Sequence, residues 1–210
     1  NRFPSVALII SCYNEAEVIG EKLQNTLGLV YPAELLRIIV VSDGSDDGTD
    51  ELVREFTDAR VQLIRQEGRL GKTMGLNLAM EQVNEEVTVF SDANAIYAPD
   101  AIAKLVRNLA DPAVGYVVGA ALYTDSEEGA SAKSENVYWR KELAIKAMES
   151  RLHSVVGGDG AIYAIRSKLW EPLEQKDIND FVNPLQIVAK GYRGIFDSEA
   201  RCYEETAGDF

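Results

Sequence analysis

Ile38-Ile39-Val40-Val41-Ser42-Asp43-Gly44-Ser45-Asp46-Asp47-Gly48-Thr49 decides the reading of this chain. An apolar, β-branched run stops at a carboxylate and gives way to Gly, Ser and Asp. The run is continuous rather than alternating, so it reads as a strand buried on both faces, the mark of a parallel sheet. In an open α/β sheet the ligand crevice lies outside the carboxyl ends of such strands, and Asp43 falls at one of those ends. Val87-Thr88-Val89-Phe90-Ser91-Asp92-Ala93-Asn94 repeats the grammar. Two strand-end acids of one sheet converge on one crevice, and a polar active site is expected there.

Outward from these runs the chain alternates. A strand at 5–10 ends in Ser11-Cys12-Tyr13-Asn14-Glu15, and a helix over about 16–29 carries Val18, Ile19, Leu23 and Leu27 at helical spacing. Tyr31-Pro32 breaks it. Strand 36–41 precedes a helix through Phe56 that Thr49 or Asp50 caps. Strand 61–64 leads through Gly68-Arg69-Leu70-Gly71-Lys72 into a helix over 73–83, and strand 87–90 into a helix from Pro99 to about Leu109. Four strand-loop-helix units predict an α/β fold with a mostly parallel sheet. Beyond about residue 110 the pattern loosens. Strand 114–122, a small acidic loop 125–132 and a long helix 133–152 precede a glycine-rich stretch, strand 161–165, and helices 167–173 and 181–190. One domain is expected, with a nucleotide-type half over 1–110 and an irregular half over 111–210.

Composition narrows the function. Lys plus Arg total 21 against 34 Asp plus Glu, a formal charge of -13. That excludes the basic footprint of a duplex nucleic-acid binder. A small polyanionic substrate stays compatible if a cation or local amides offset the field. The two cysteines, Cys12 and Cys202, sit at opposite ends, and Cys12 reads as a buried, reduced thiol of a reducing compartment. There is no signal peptide and no apolar run of transmembrane length. Starting at Asn1 without Met, the sequence reads as a domain excised from a larger protein.

Several motifs are decoys. The 43–48 loop has the oxygen side chains of a calcium loop, but Arg54 stands where a bidentate Glu is needed and a strand precedes it. Gly71-Lys72-Thr73 imitates the end of a phosphate-binding P-loop, yet Gln66 occupies the first glycine place. Gly158-Asp159-Gly160 fails the dinucleotide fingerprint at Tyr163, and reads as a turn or a close backbone approach to a ligand. His153, the only histidine, has no companion for a metal or triad. Tyr138 and Trp139 on the long helix read as core or groove lining, with carbohydrate stacking as the alternative.

The ordered set Ser11-Cys12-Tyr13-Asn14-Glu15, Asp43-Gly44-Ser45-Asp46-Asp47-Gly48-Thr49, Gly71-Lys72 with Leu76-Asn77, Ser91-Asp92-Ala93-Asn94 and Asn179-Asp180 resembles the inverting family 2 glycosyltransferases of GT-A fold. The resemblance covers nearly the whole chain. Within the family it is most similar to the membrane-embedded synthases of β-linked polysaccharides such as cellulose, chitin and hyaluronan. It implies a UDP-sugar donor, a glycan or lipid-linked acceptor bound by the second half, no nucleic acid, and a place on the cytoplasmic face of a membrane reached through segments outside this sequence. Asp43 would contact uracil or ribose, with Ser11, Tyr13 and Glu15 sharing the uridine pocket and Tyr13 packing on the base. Gly71 and Lys72 would border the nucleotide. Asp46, Asp47 and Thr49 read as turn and helix-cap chemistry instead.

Asp92-Ala93-Asn94 corresponds to the family's DXD element, which implies Mn²⁺ or Mg²⁺ held by Asp92 and Asn94. Asn94 departs from the pattern, since its amide oxygen ligates without charge. Asp180 corresponds to the general base of the family's Glu-Asp motif. Asp177 is the rival carboxylate, and a plain N-cap of a helix starting at Phe181 is the alternative reading of Asp180. No Gln-x-x-Arg-Trp motif occurs in the chain. A catalytically silent nucleotide- or glycan-binding module is the competing class of function, with a P-loop phosphohydrolase a distant third.

Overall fold

The computed structural model describes the backbone of residues 3–124 and 130–205, with side chains for 3–123 and 141–204. Most of the expected acidic loop, and the Tyr138 and Trp139 side chains, lie outside those residues. In chain order the elements are β1 (Val6–Cys12), α1 (Ile19–Leu27), β2 (Leu36–Ser42), α2 (Thr49–Glu55), β3 (Val61–Arg65), α3 (Lys72–Met80) and β4 (Val87–Asp92). There follow β5 (Ile96–Tyr97), α4 (Ala101–Asn108), β6 (Val114–Thr124), α5 (Ala130–Leu152), β7 (Tyr163–Arg166), α6 (Asn179–Ala189) and β8 (Arg193–Glu205). Among the described residues no helix is long and apolar enough to cross a membrane.

The strands form one sheet in the order β3-β2-β1-β4-β7-β6-β8-β5. The first four are parallel, as their continuous apolar runs predict. Both faces of β1 are covered. Val6, Leu8 and Ile10 pack with Ile19 and Leu23 of α1 and Ile102 and Leu105 of α4, whereas Ala7 and Ile9 pack with Leu76 of α3 and Ile187 of α6. A period of two on a strand buried on both sides leaves no polar position to alternate with. From β1 the chain moves outward to β2 and β3, then returns to β4 on the other side of β1. That reversal is a topological switch point, where the strand ends open a crevice.

Two strands were not expected, and one helix shrinks. β8 runs parallel to β6, but the register slips between Val118 and Ala120. The slack in β8 carries Asp197 and Glu199 out to Arg107 of α4, which grips Asp197 through two bonds of 3.0 Å and reaches Glu199 at 2.7 Å. A strand interrupted by such a staple has no clean alternation to read. The helix expected over 167–173 is a single 3₁₀ turn, Ser167–Leu169. Pro172 disfavours helical backbone at the residue before it and stops the turn.

Where β6 and β8 pair, Tyr116 faces Gly194 directly, and its ring lies where a Gly194 side chain would be. A Cβ there would overlap the ring. Gly194→Ala should therefore destabilise the fold by about 1–3 kcal/mol, a fall of several degrees in melting temperature. An unchanged thermal melt would show that Tyr116 moves aside freely.

Candidate active site

Three parallel strands deliver three polar ends to one edge of the sheet. Ser11 is paired with Val41 on one side and with Asp92 on the other, so the loops after β1, β2 and β4 start level with one another. They enclose a cavity of about 300 Å³. Ser11, Tyr13, Glu15, Asp43, Lys72, Asp92 and Asn94 all line it. Gly71 stands behind Asp43. Asp180 enters from α6, across from the strand ends.

The loops after β1 and β2 are laced together. Asn14 Nδ2 donates to Asp46 Oδ1 at 2.9 Å, and the Asp46 N–H donates back to Asn14 Oδ1 at 3.0 Å. Thr49 Oγ1 accepts the Glu15 N–H at 2.9 Å, and Asp47 Oδ2 accepts the Ala16 N–H at 3.0 Å. Thr49 does not cap α2, contrary to expectation: Gly48, at φ 97°, takes the cap position, and Asp47 Oδ1 accepts the Thr49 N–H at 3.0 Å. Hydrogen bonds, first from the Thr49 hydroxyl and then from the Ala16 and Thr49 amides, hold the Asp47 carboxyl below the usual carboxylate range. These side chains fix the wall from which Tyr13 and Glu15 project.

Asp43 pins a second wall. Its Oδ1 accepts from Gln66 Nε2 at 2.8 Å, from the Leu70 N–H at 2.9 Å and from the Gly71 N–H at 3.0 Å. Its Oδ2 shares only the Gly71 N–H, also at 3.0 Å, and keeps acceptor capacity toward the cavity. Arg69 from the same loop lies 3.8 Å over the Tyr13 ring. The guanidinium thus covers one face of the ring through cation–π attraction.

The opposite end is acidic. Lys72 Nζ pairs with Asp92 Oδ1. Burial, then the charges of Asp92 and Asp47, push the Glu15 carboxyl above its usual range. A Cβ added to Gly160 would lie 3.1 Å from Lys72 Nζ, 3.2 Å from Asp92 Oδ2 and 3.5 Å from Asp180 Oδ2. Ammonium and two carboxylates therefore surround one small gap that only glycine leaves open.

α6 starts at Asn179 with Ile178 in the cap position, so Asp180 lies inside the first turn and is not the N-cap of a helix starting at Phe181. Pro184 sits four residues later and has no N–H to give the Asp180 carbonyl. That carbonyl accepts the Gly158 N–H instead, which moors the glycine turn against Asp180. Asp177 is turned elsewhere: its Oδ2 accepts the Glu174 N–H at 2.8 Å in its own loop.

Sequence reasoning treated Gln66 only as a failed motif position, and read Gly160 as part of a turn or a close backbone approach to a ligand without naming its neighbours. Their partners, Asp43 for one and the Lys72, Asp92 and Asp180 trio for the other, lie far away along the chain. His153 bonds Ser154 Oγ at 2.9 Å on the exposed side and takes no part. Both cysteines are buried free thiols, and burial, then the charges of Asp50, Glu15 and Asp47, push Cys12 up to about 12. Among the described residues no group of three or more His, Cys, Asp or Glu could hold a metal by itself.

Comparison with known proteins agrees with this geometry. The chain is 34% identical over 117 residues to the poly-β-1,6-N-acetyl-D-glucosamine synthase of Staphylococcus aureus strain COL, covering 54% of this chain and 28% of the relative. The Staphylococcus epidermidis synthase of the same name is 30% identical over 116 residues, with the same shares. The chain thus spans little more than a quarter of the length of these curated relatives. Among solved structures, the mannosyltransferase PcManGT from Pyrobaculum calidifontis, in complex with GDP-Man and Mn²⁺, superposes with a TM-score of 0.84 at 28% identity, over 99% of this chain and 58% of that one. S. aureus TarS 1-349, in complex with UDP-GlcNAc, gives a TM-score of 0.71 at 14% identity, over 98% of this chain and 60% of that one, a likeness of fold alone. The family described as Glycosyl transferase family 2 matches residues 7–171, well over half of the sequence, and the chain belongs to that family and has the GT-A fold.

Proposed function

We propose that this domain transfers a sugar from a UDP-sugar to a growing glycan or lipid-linked acceptor, with inversion at the anomeric carbon and formation of a β-linkage. The observation that carries this reading is that Asp43 at the end of β2 and Asp92 at the end of β4 line one cavity, while Asp180 of α6 shares the gap at Gly160 with Asp92 and Lys72. In a single displacement the Asp180 carboxylate takes the proton of the acceptor hydroxyl as its oxygen attacks the anomeric carbon. The bond to the diphosphate breaks with its electron pair, and the nucleoside diphosphate leaves. Asp43 Oδ2 orients the nucleoside, and Ser11, Tyr13 and Glu15 wall its pocket. Lys72 and the backbone at Gly71 border the nucleotide.

Asp92 and Asn94 offer one carboxylate and one amide oxygen on a single turn. That set is too small for a protein-only site, yet it suits an Mn²⁺ or Mg²⁺ that takes its remaining oxygens from a diphosphate. Such an ion supplies charge stabilisation to the departing diphosphate when bound. The synthase relatives and the PcManGT complex with GDP-Man and Mn²⁺ support this reading, and membrane attachment would come from segments of the parent protein outside this sequence. Asn94 in place of a second acid favours one alternative, a nucleotide-binding module without turnover. A donor screen on the intact parent in membranes tests between the two.

Asp43→Ala should weaken UDP binding roughly tenfold or more with or without metal, since a hydrogen bond to a charged group contributes about 1.5–3 kcal/mol. Unchanged affinity in a folded variant would remove Asp43 from the nucleoside contact.

Mn²⁺ should tighten UDP binding, and Asp92→Ala should abolish that gain. Asn94→Asp should enlarge it. Calorimetric titrations that find no metal response in either the parent or Asn94→Asp would sink the metal assignment.

Asp180→Asn should leave UDP-sugar binding nearly normal and cut turnover by about 10²–10⁴-fold, the usual cost of a lost general base. The residue lies within the helix rather than at its cap, so the exchange costs about 1 kcal/mol or less of dipole interaction. Near-normal turnover of the intact protein would refute the base assignment.

A further inference from the structure

Lys22 is a fully buried lysine on α1, directly beneath the turn 91–95 that carries Asp92 and Asn94. Its Nζ donates to Ser91 Oγ at 2.7 Å and to the Ala95 carbonyl, the two ends of that turn. Below, the ammonium lies 4.1 Å over the Tyr97 ring. Tyr97 is held in turn, its hydroxyl donating to the Phe90 and Ala161 carbonyls. Among the described residues Lys22 forms no ion pair with a carboxylate. Burial therefore pulls its ammonium down to about 7, against the opposing charges of Cys202, Asp92 and Glu204.

A buried cation without a direct counter-ion is costly, and an apolar side chain of the same length would fill the space without that cost. Among the described residues both hydrogen bonds of the Lys22 ammonium go to the turn. We infer that Lys22 is a positioning residue: it ties the Ser91 hydroxyl to the Ala95 carbonyl and so sets where Asp92 and Asn94 meet a divalent cation and the diphosphate of a nucleotide. This rests on the proposed role of those two residues. Its physical logic is that of an outer shell, in which a group that touches neither ligand nor metal fixes the orientation of those that do.

The test sets stability against binding, because a space-filling role and a positioning role predict opposite signs. Lys22→Met in the intact protein should melt at the same temperature as the parent or higher, since the buried charge is gone. Its metal-free affinity for UDP should be unchanged. The gain in UDP affinity on adding MnCl₂ should fall roughly 10–100-fold, the usual effect of losing an outer-shell contact. A Mn²⁺ gain equal to the parent's would overturn the inference and leave the functional reading intact. If the parent itself shows no gain, the roles of Asp92 and Asn94 fall, and this inference with them. Should Lys22→Met fail to fold, Ser91→Ala removes one anchor from the turn side. It should reduce the Mn²⁺ gain in the same direction, and an undiminished gain overturns the inference.

Discussion

β1 hydrogen-bonds to β2 on one side and β4 on the other, and every feature of the crevice depends on that placement. The pairing sets Ser11 beside both Val41 and Asp92, so three loops begin at one height. Nothing in those loops needs regular structure of its own. Asn14, Asp46, Asp47 and Thr49 bind them to each other, while Asp43 holds the 68–71 loop through two backbone amides. A rigid sheet with laced loops fixes side chains more closely than free loops do.

The site gathers acids in a chain that is already strongly acidic. Glu15 and Glu204 both have raised carboxyl pKa values, with burial the first cause and the Asp92 charge next. Three lysines answer them from different directions. Lys72 pairs with Asp92, Lys146 pairs with Asp159 at 2.9 Å, and Lys22 lies beneath the Asp92 turn. Through their ion pairs Lys72 and Lys146 offset part of that negative field.

How much was legible in the sequence follows from how local each signal is. Asp43 and Asp92 could be read because each ends an apolar run, and strand direction then places both at one edge. The parallel half was legible for the same reason. β8 was not, because its register slip and the Arg107 staple erase the alternation that would mark it. The roles of Gln66, Gly160 and Lys22 were also missed. Each acts on residues twenty or more positions away, and a single chain read in order has no record of such meetings. The start of α6 was misplaced by two residues, and with it the reading of Asp180 as a cap.

Pro184 has a mechanical consequence. By denying the Asp180 carbonyl its partner within the helix, it turns a local defect into a coupling between α6 and the glycine turn at 157–160. The tie runs through backbone atoms alone, so it holds the turn against α6 whatever side chain stands at position 180.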